Sequence, residues 1–175
     1  MERSQKEIAS FRRLKNACFN DLEEARHMVV AEPALLEARS YAGETAMHWL
    51  AIDNEFTAVT ALLDWGAELD TVNDSDATPL LHCVTLGYSE LIALLVARGA
   101  RVSHKSNTGQ SPVSEAARKN RPEVLRLLLS SLHKKADINP LFVDWEVNEI
   151  RDRGGETAQL LIERGLRGKN PVYDF

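Results

Sequence analysis

Cysteines and long apolar runs are what this sequence most clearly lacks. Cys18 and Cys83 are the only cysteines in 175 residues, which is too few for a disulfide framework and typical of a reducing compartment. No apolar run reaches the roughly 20 residues that span a membrane, and the charged first residues lack the apolar segment of a secretory signal. We therefore expect a cytoplasmic chain that has no contact with membranes.

An excess of basic residues is absent as well. The chain has 21 Lys and Arg against 26 Asp and Glu, which gives a formal net charge of -5. Proteins that bind nucleic acids need clustered basic side chains to displace counterions from phosphates. The composition therefore argues against a nucleic-acid partner, while 44% hydrophobic residues are enough for one domain with a buried core.

A repeat of 33 residues is the strongest feature that is present. Thr45, Thr78 and Ser111 each open a similar apolar phrase, and they stand 33 residues apart. Self-similarity at a fixed period indicates stacked structural repeats rather than one irregular core.

Each phrase carries signals for two helices. The hydroxyl residue that opens it is a good N-cap, and Pro79 and Pro112 favour the first helical position. After a polar break comes a second apolar helix, and Gly66 and Gly99 follow where a left-handed C-cap is expected. The sequence therefore predicts helix–helix–loop units with loops that project sideways.

These residues resemble the ankyrin-repeat family. The resemblance rests on the 33-residue period, on the phrases from Thr45 to His48 and from Thr78 to His82, and on the Leu-Leu-x-x-Gly-Ala string that ends at Ala67. It implies an all-α ankyrin-repeat solenoid of about four to five helix-turn-helix units with projecting β-turn or hairpin loops.

The repeat pattern also predicts the domain organisation. We expect a single ankyrin-repeat domain over 1–175, with an N-terminal capping repeat at 7–39, central repeats at 40–72, 73–105 and 106–139, a degenerate C-terminal capping repeat at 140–165 and a tail at 166–175. The 33-residue step slips by about three residues between Ser130 and Lys135, so a lengthened turn is expected there.

Few residues suggest chemistry. The resemblance implies that His48 hydrogen-bonds to backbone and ties one loop to the next. His82 lies one position later than the family's usual histidine, and with Cys83 it forms the only suspicious adjacent pair. No second His or paired Cys stands at metal-ligand spacing, and no phosphate-binding loop or nucleophile motif is present. The sequence therefore predicts no enzyme, no metal site and no cofactor.

The resemblance also implies that a protein partner would be bound by the loop tips and the exposed side of the first helices. Carried over to this sequence, the predicted partner-binding residues are Tyr41, Ala42, Glu44, Ile52, Asp53, Val72, Asp74, Ser75, Ala77, Thr85, Leu86, Lys105, Asn107, Thr108, Gln110, Arg118 and Lys119. Trp65, just before Gly66, is either an exposed anchor for the partner or packed by its neighbours or by the tail. Acidic residues crowd the first half of this surface and basic residues the second, which predicts a polarised groove.

Two functions fit these features. The first is a non-catalytic protein–protein interaction module that binds a folded partner through the concave face and is monomeric when free. The alternative is an inhibitor or immunity-type protein that neutralises one specific enzyme or toxin by covering its active site, with the acidic half mimicking phosphates if the target is a nuclease. Both functions need the same surface, so the sequence leaves the choice open.

Overall fold

The computed structural model describes residues 3–132, 138–142 and 144–166. Over those ranges the chain is helical and contains no strand. The helices are α1 Gln5–Asn20, α2 Leu22–Ala31, α3 Ala46–Ile52, α4 Phe56–Asp64, α5 Pro79–Leu86, α6 Ser89–Ala97, α7 Pro112–Arg118, α8 Pro122–Ser131, α9 Asp144–Arg153 and α10 Gly155–Glu163, with 3₁₀ turns at Pro33–Glu37 and Asn139–Leu141. The predicted all-α class is confirmed.

The helices form two layers. The first helix of each pair packs against the first helix of the next, so that α1, α3, α5, α7 and α9 make one layer. The second helices α4, α6, α8 and α10 make the other layer in the same way. No pair covers its own apolar face, and the buried residues therefore form one continuous core along the stack.

Two of the first helices begin where the sequence predicts. The Thr78 Oγ1 atom accepts a hydrogen bond from the N–H of Leu81 at 3.3 Å, and the Ser111 Oγ atom accepts one from the N–H of Ser114 at 3.1 Å. A proline follows each cap as the first helical residue. The missing proline N–H costs nothing there, because that group would have no partner inside the helix.

The second helices α4 and α6 each end before a glycine in the left-handed conformation. Gly66 and Gly99 both have a φ of +93°, which residues with a side chain rarely adopt. After Gly99, the N–H of Ala100 returns to the carbonyl oxygen of Leu95 at 3.0 Å. This bond satisfies a carbonyl of the last turn and reverses the chain towards the next loop.

One apolar position recurs through the whole core at the 33-residue step. Val29, Leu62, Leu95, Leu128 and Leu161 lie in the five second helices, and none is more than 5% exposed. The step therefore holds from α2 to α10, and the predicted slip does not displace the second helix of the last pair.

The two ends of the chain differ from the central pairs. Helix α1 has 16 residues against 7 in α3, and it begins at Gln5, before the expected start of the first repeat at 7. At the other end, Leu166 is buried in the core. Half of the predicted lengthened turn, at 133–135, and the rest of the predicted tail, at 167–175, lie outside the described residues.

Candidate functional site

The projecting loops are joined to one another by their backbones. The N–H of Asp74 donates to the carbonyl oxygen of Ala42, and the N–H of Asn107 donates to that of Ser75, both at 3.0 Å. These two backbone hydrogen bonds link the tips of three consecutive loops. The side chains at the tips are therefore presented on an edge of fixed spacing.

His48 ties α3 to the next loop. Its Nδ1 atom accepts a hydrogen bond from the N–H of Thr45 at 3.2 Å, so the proton of the neutral ring lies on Nε2. The Nε2 atom donates to the carbonyl oxygen of Ala77 at 3.0 Å. The loop-joining role expected of His48 is confirmed. Ala77 itself is only 6% exposed, which removes its side chain from the predicted partner-binding surface.

His82 and Cys83 do not form a catalytic pair. The half-buried His82 ring lies edge-on to His48, with 6.0 Å between the ring centroids, and burial lowers the pKa of His82. The Cys83 thiol instead faces the carbonyl oxygen of Ala51 at 3.8 Å, and burial raises its pKa to about 12. A thiol with that pKa keeps its proton near neutral pH, so Cys83 is not an activated nucleophile.

The predicted partner-binding residues differ in exposure. The exposed residues are Tyr41, Ala42, Asp53, Asp74, Ser75, Thr85, Leu86, Asn107, Thr108 and Lys119. The half-buried residues are Glu44, Ile52, Val72, Lys105, Gln110 and Arg118. Apart from Ala77, the set therefore reaches solvent along the loop tips and the ends of the first helices.

Trp65, the candidate exposed anchor, packs against the core with part of its surface in solvent. It lies directly after α4, and its side chain is half-buried against the hydrophobic core. The indole therefore packs over the end of a second helix, and its use as a partner anchor stays a prediction. Tyr41 is the contrasting case, because 60% of its surface is exposed.

Two carboxylates of the predicted acidic half, those of Asp74 and Glu44, are engaged within the chain. The Arg3 guanidinium binds the Asp74 carboxylate through two hydrogen bonds, of 2.6 and 2.8 Å. Glu44 accepts one hydrogen bond from the Ser40 hydroxyl at 2.6 Å and another from the indole N–H of Trp49 at 3.1 Å. The negative charge of Asp74 is therefore partly neutralised, and the Glu44 carboxylate is already hydrogen-bonded within the chain.

Two residues of the basic half, Arg118 and Arg101, are paired in a similar way. Arg118 donates two hydrogen bonds of 2.8 Å to Glu115, a carboxylate that is only 1% exposed, and this pairing raises the pKa of Arg118. Arg101 lies 3.2 Å from Asp70 of the preceding unit. These pairs weaken the charge separation that the sequence predicts, because opposite charges meet along the stack.

Helix α1 adds cations and aromatic rings to this side of the molecule. The Lys15 ammonium lies 5.1 Å from the ring centroid of Trp49 and 6.0 Å from that of Phe19. The Arg12 guanidinium carbon lies 5.9 Å from the ring centroid of Tyr41. These are cation–π distances, and they connect α1 to the first loop and to α3.

Sequence reasoning missed these α1 residues, although one of them left a signal. The 33-residue step leads from Ile52 back to Phe19, so the periodicity alone would have added Phe19 to the surface. Arg12 and Lys15 carried no such sequence signal, because basic side chains on a terminal helix are usually solvated.

Among the described residues, no group of three or more His, Cys, Asp or Glu side chains could hold a metal ion. The longest described helix, α1, has 16 residues. No helix in the described part of the chain combines the length and apolar character needed to cross a bilayer.

Comparison with known proteins agrees with this architecture. The sequence matches a family model described as ankyrin repeats (3 copies), over residues 14–106 and 48–142. The B-cell lymphoma 3 protein of Homo sapiens is 35% identical over 153 residues, which cover 79% of this chain and 32% of that protein. The B-cell lymphoma 3 protein homolog of Mus musculus is 33% identical over 97 residues, which cover 55% of this chain and 22% of that protein.

A third relative is the ankyrin repeat and KH domain-containing protein 1 of Homo sapiens. It is 36% identical over 104 residues, which cover 57% of this chain and 4% of that protein. The chain thus spans at most 32% of the length of these three relatives. The matches of the family model cover most of the chain, and we conclude that it belongs to the ankyrin-repeat family.

Proposed function

We propose that this chain is a non-catalytic binding module that holds a folded protein partner against its loop tips and first helices. Ankyrin repeats are in general protein–protein interaction modules. Here the backbone bonds between tips and the bond from His48 to Ala77 hold the loops in fixed positions. A rigid surface gives up little conformational freedom on binding, which favours recognition of a partner that is itself folded.

A row of exposed rings beside cations is the observation that carries this proposal. Tyr41 is 60% exposed and lies beside Arg12, while Phe19 is 40% exposed and lies beside Lys15. Leu86, at the end of α5, is a further exposed apolar side chain, in the third unit. Aromatic and arginine side chains supply a large share of binding energy at protein interfaces, so this row is where we place the partner.

Two carboxylates of the acidic half support this function rather than inhibition by phosphate mimicry. A phosphate mimic needs free carboxylates at the spacing of a nucleic-acid backbone. The Asp74 carboxylate is bonded to Arg3, and the Glu44 carboxylate is bonded to Ser40 and Trp49. A binding module needs only the exposed rings and polar tips, and these are present.

Further proposals concern organisation and location. We propose five units with the boundaries 7–39, 40–72, 73–105, 106–139 and 140–165, supported by the five helix pairs and by the recurrent core position from Val29 to Leu161. We also propose that the chain acts as a cytoplasmic monomer. Its two buried free cysteines suit a reducing compartment, and its net charge of -5 fits a protein partner rather than a nucleic acid.

A capture experiment with a matched control tests the proposed surface. The face variant combines Tyr41→Ala, Leu86→Ser and Lys119→Glu. The control variant makes changes of the same kinds on exposed positions of second helices, with Phe56→Ala, Val30→Ser and Glu123→Lys. Both variants and the unchanged chain are immobilised and incubated with an extract of cells that express the chain, and the captured proteins are quantified by mass spectrometry.

We expect the control variant to retain the proteins captured by the unchanged chain. The face variant should lose them by about tenfold or more, the effect of removing interface hot spots. Equal capture by the face variant, or a loss confined to the control variant, would contradict the proposal.

A further inference from the structure

The side chain of Arg3 spans the tips of two neighbouring loops. Its Nη1 atom donates to Asp74 Oδ2 at 2.8 Å and to the carbonyl oxygen of Tyr41 at 3.1 Å, while its Nη2 atom donates to Asp74 Oδ1 at 2.6 Å. Two nitrogens thus engage two oxygens of one carboxylate, a fork that arginine can form and lysine cannot. The hydrogen bonds raise the pKa of Arg3 and lower the pKa of Asp74.

The receiving side of this contact is built by the loops themselves. The bond of 3.0 Å from the Asp74 N–H to the Ala42 carbonyl oxygen fixes the two tips at the distance that the guanidinium bridges. Gly43 has a φ of +81°, and a Cβ atom there would clash with Asp74 Oδ1 and lie 2.9 Å from Arg3 Nη2. Gly109, two repeat steps later, has a φ of +82° and nothing within 4 Å of such an atom. The space beside Gly43 is therefore specific to this tip.

A second arginine holds the same loops without using the carboxylate. The Arg39 guanidinium donates to the carbonyl oxygens of Gly43 and Val72 and to the hydroxyl of Thr71. Its donors are directed at backbone and hydroxyl oxygens, which leaves the Asp74 oxygens to the guanidinium of Arg3. The site thus accommodates an arginine even with another cation close by.

Arg3 is attached in a way that permits displacement. Its side chain is 19% exposed and that of Asp74 is 52% exposed, and ion pairs in contact with water contribute little to stability. Helix α1 is capped by Ser4, directly after Arg3, so the Arg3 side chain can leave without removing the cap. The contact also lies beside Tyr41, on the surface where the proposed function places the partner.

We propose that Asp74, the carbonyl oxygen of Tyr41 and the space beside Gly43 form an arginine-binding seat. In the free chain this seat is filled by Arg3, and in the complex an arginine side chain of the protein partner takes its place. That an arginine of a protein partner reaches the seat rests on the proposed function, whereas the seat itself is defined by contacts within the chain. Arg3 is then a built-in competitor that reduces the affinity of the partner.

The seat is tested with a blocked amino acid rather than with the partner. N-acetyl-arginine methylamide is titrated into the full chain labelled with ¹⁵N, as the unchanged protein, as Arg3→Ala and as Arg3→Ala with Asp74→Asn. The amide signals of Gly43 and Asp74 report occupancy, and the signal of Gly109 serves as an internal control from another tip. The matching citrulline compound, which has the same length and no charge, controls for non-specific binding.

We expect saturable shifts at Gly43 and Asp74 in the Arg3→Ala protein, with no comparable shift at Gly109. The unchanged protein should need about two- to fivefold more probe for the same occupancy, the range set by a weak exposed ion pair that competes for the seat. Citrulline should give no saturable response, and Asp74→Asn should abolish the response to arginine. Equal responses with and without Asp74→Asn, equal affinities with and without Arg3, or equal responses to arginine and citrulline would each overturn the proposal.

Failure of the seat is distinguishable from failure of the proposed function. If the arginine compound does not bind while the face variant loses its captured proteins, the seat is wrong and the binding surface stands. If the arginine compound binds while the face variant captures the same proteins as the unchanged chain, the seat stands and the proposed partner surface is wrong.

Discussion

The Nε2 atom of His48 lies 3.0 Å from the carbonyl oxygen of Ala77, a residue 29 positions further along the chain. This bond joins α3 to the loop that precedes α5. The other ring nitrogen accepts the N–H of Thr45, so a protonated ring would leave that N–H without an acceptor. The neutral ring is therefore favoured, and burial is the main reason that the pKa of His48 falls to about 4.

We expect the free energy of unfolding to decrease as the pH falls from 6.5 to about 4. In the unfolded chain His48 takes up a proton near pH 6.5, whereas in the folded chain it does so only near pH 4. The unfolded state binds more protons in this window, so the stability linked to neutral His48 is present above pH 6.5 and lost towards pH 4. Urea unfolding measured across the window should show a loss of about 3 kcal/mol from this group.

The variant His48→Gln is the control for this pH dependence. Glutamine does not titrate, so the loss of stability between pH 7 and pH 4.5 should be smaller than in the unchanged chain by about 2 kcal/mol. Some loss should remain, because burial also lowers the pKa of His82. An undiminished loss in His48→Gln would show that this histidine is not the responsible group.

Arg118→Ala should destabilise the chain because it leaves the Glu115 carboxylate without its partner. Glu115 is 1% exposed, whereas the Arg118 side chain is 34% exposed, so water partly screens the pair and we expect a cost of about 2 kcal/mol. Replacing both residues, with Glu115→Gln and Arg118→Ala, should cost less than the sum of the single changes by about 1 kcal/mol. Additive costs in urea unfolding would contradict a coupled pair.

Gly43→Ala should cost more stability than Gly109→Ala. Both glycines have a φ close to +80°, and a left-handed alanine costs about 1–2 kcal/mol at either position. At Gly43 the new Cβ atom would also lie 2.8 Å from the Asp74 backbone nitrogen, which adds about 1 kcal/mol or more. Equal costs for the two variants in chemical unfolding would mean that the tips do not approach as closely as described.

Tyr41→Ala should change the free energy of unfolding less than Trp65→Ala. The side chain of Tyr41 is mostly exposed, so its loss should change the free energy of unfolding by less than about 0.5 kcal/mol. Trp65 packs against the core, and its loss should cost about 2 kcal/mol. Thermal and urea unfolding of the two variants check this order, and the reverse order would contradict the packing of Trp65 against the core.

The repeat pattern was sufficient to predict the layered helices. Thr78 with Pro79 and Ser111 with Pro112 locate the starts of two helices, and Gly66 marks the end of another, because each residue type has a backbone reason to stand there. Such signals act over a few residues of sequence. They can therefore be recognised in the sequence without any knowledge of the tertiary contacts.

Contacts between distant residues could not be predicted in this way. Arg3 and Asp74 are 71 positions apart, and neither position carries a pattern that indicates the other. The position of Trp65 left its exposure open, since a helix end can face either the core or solvent. The prediction of a polarised groove did not account for ion pairs between units, such as that of Arg101 with Asp70.

Site-specific photocrosslinking tests the proposed binding surface most directly. Tyr41 or, in a separate protein, the exposed Ala93 of α6 is replaced by benzoylphenylalanine, and cells that express the full chain are irradiated. We predict a discrete crosslinked protein partner from position 41 and none from position 93. A partner crosslinked from position 93 and not from position 41 would contradict binding through the loop tips and first helices.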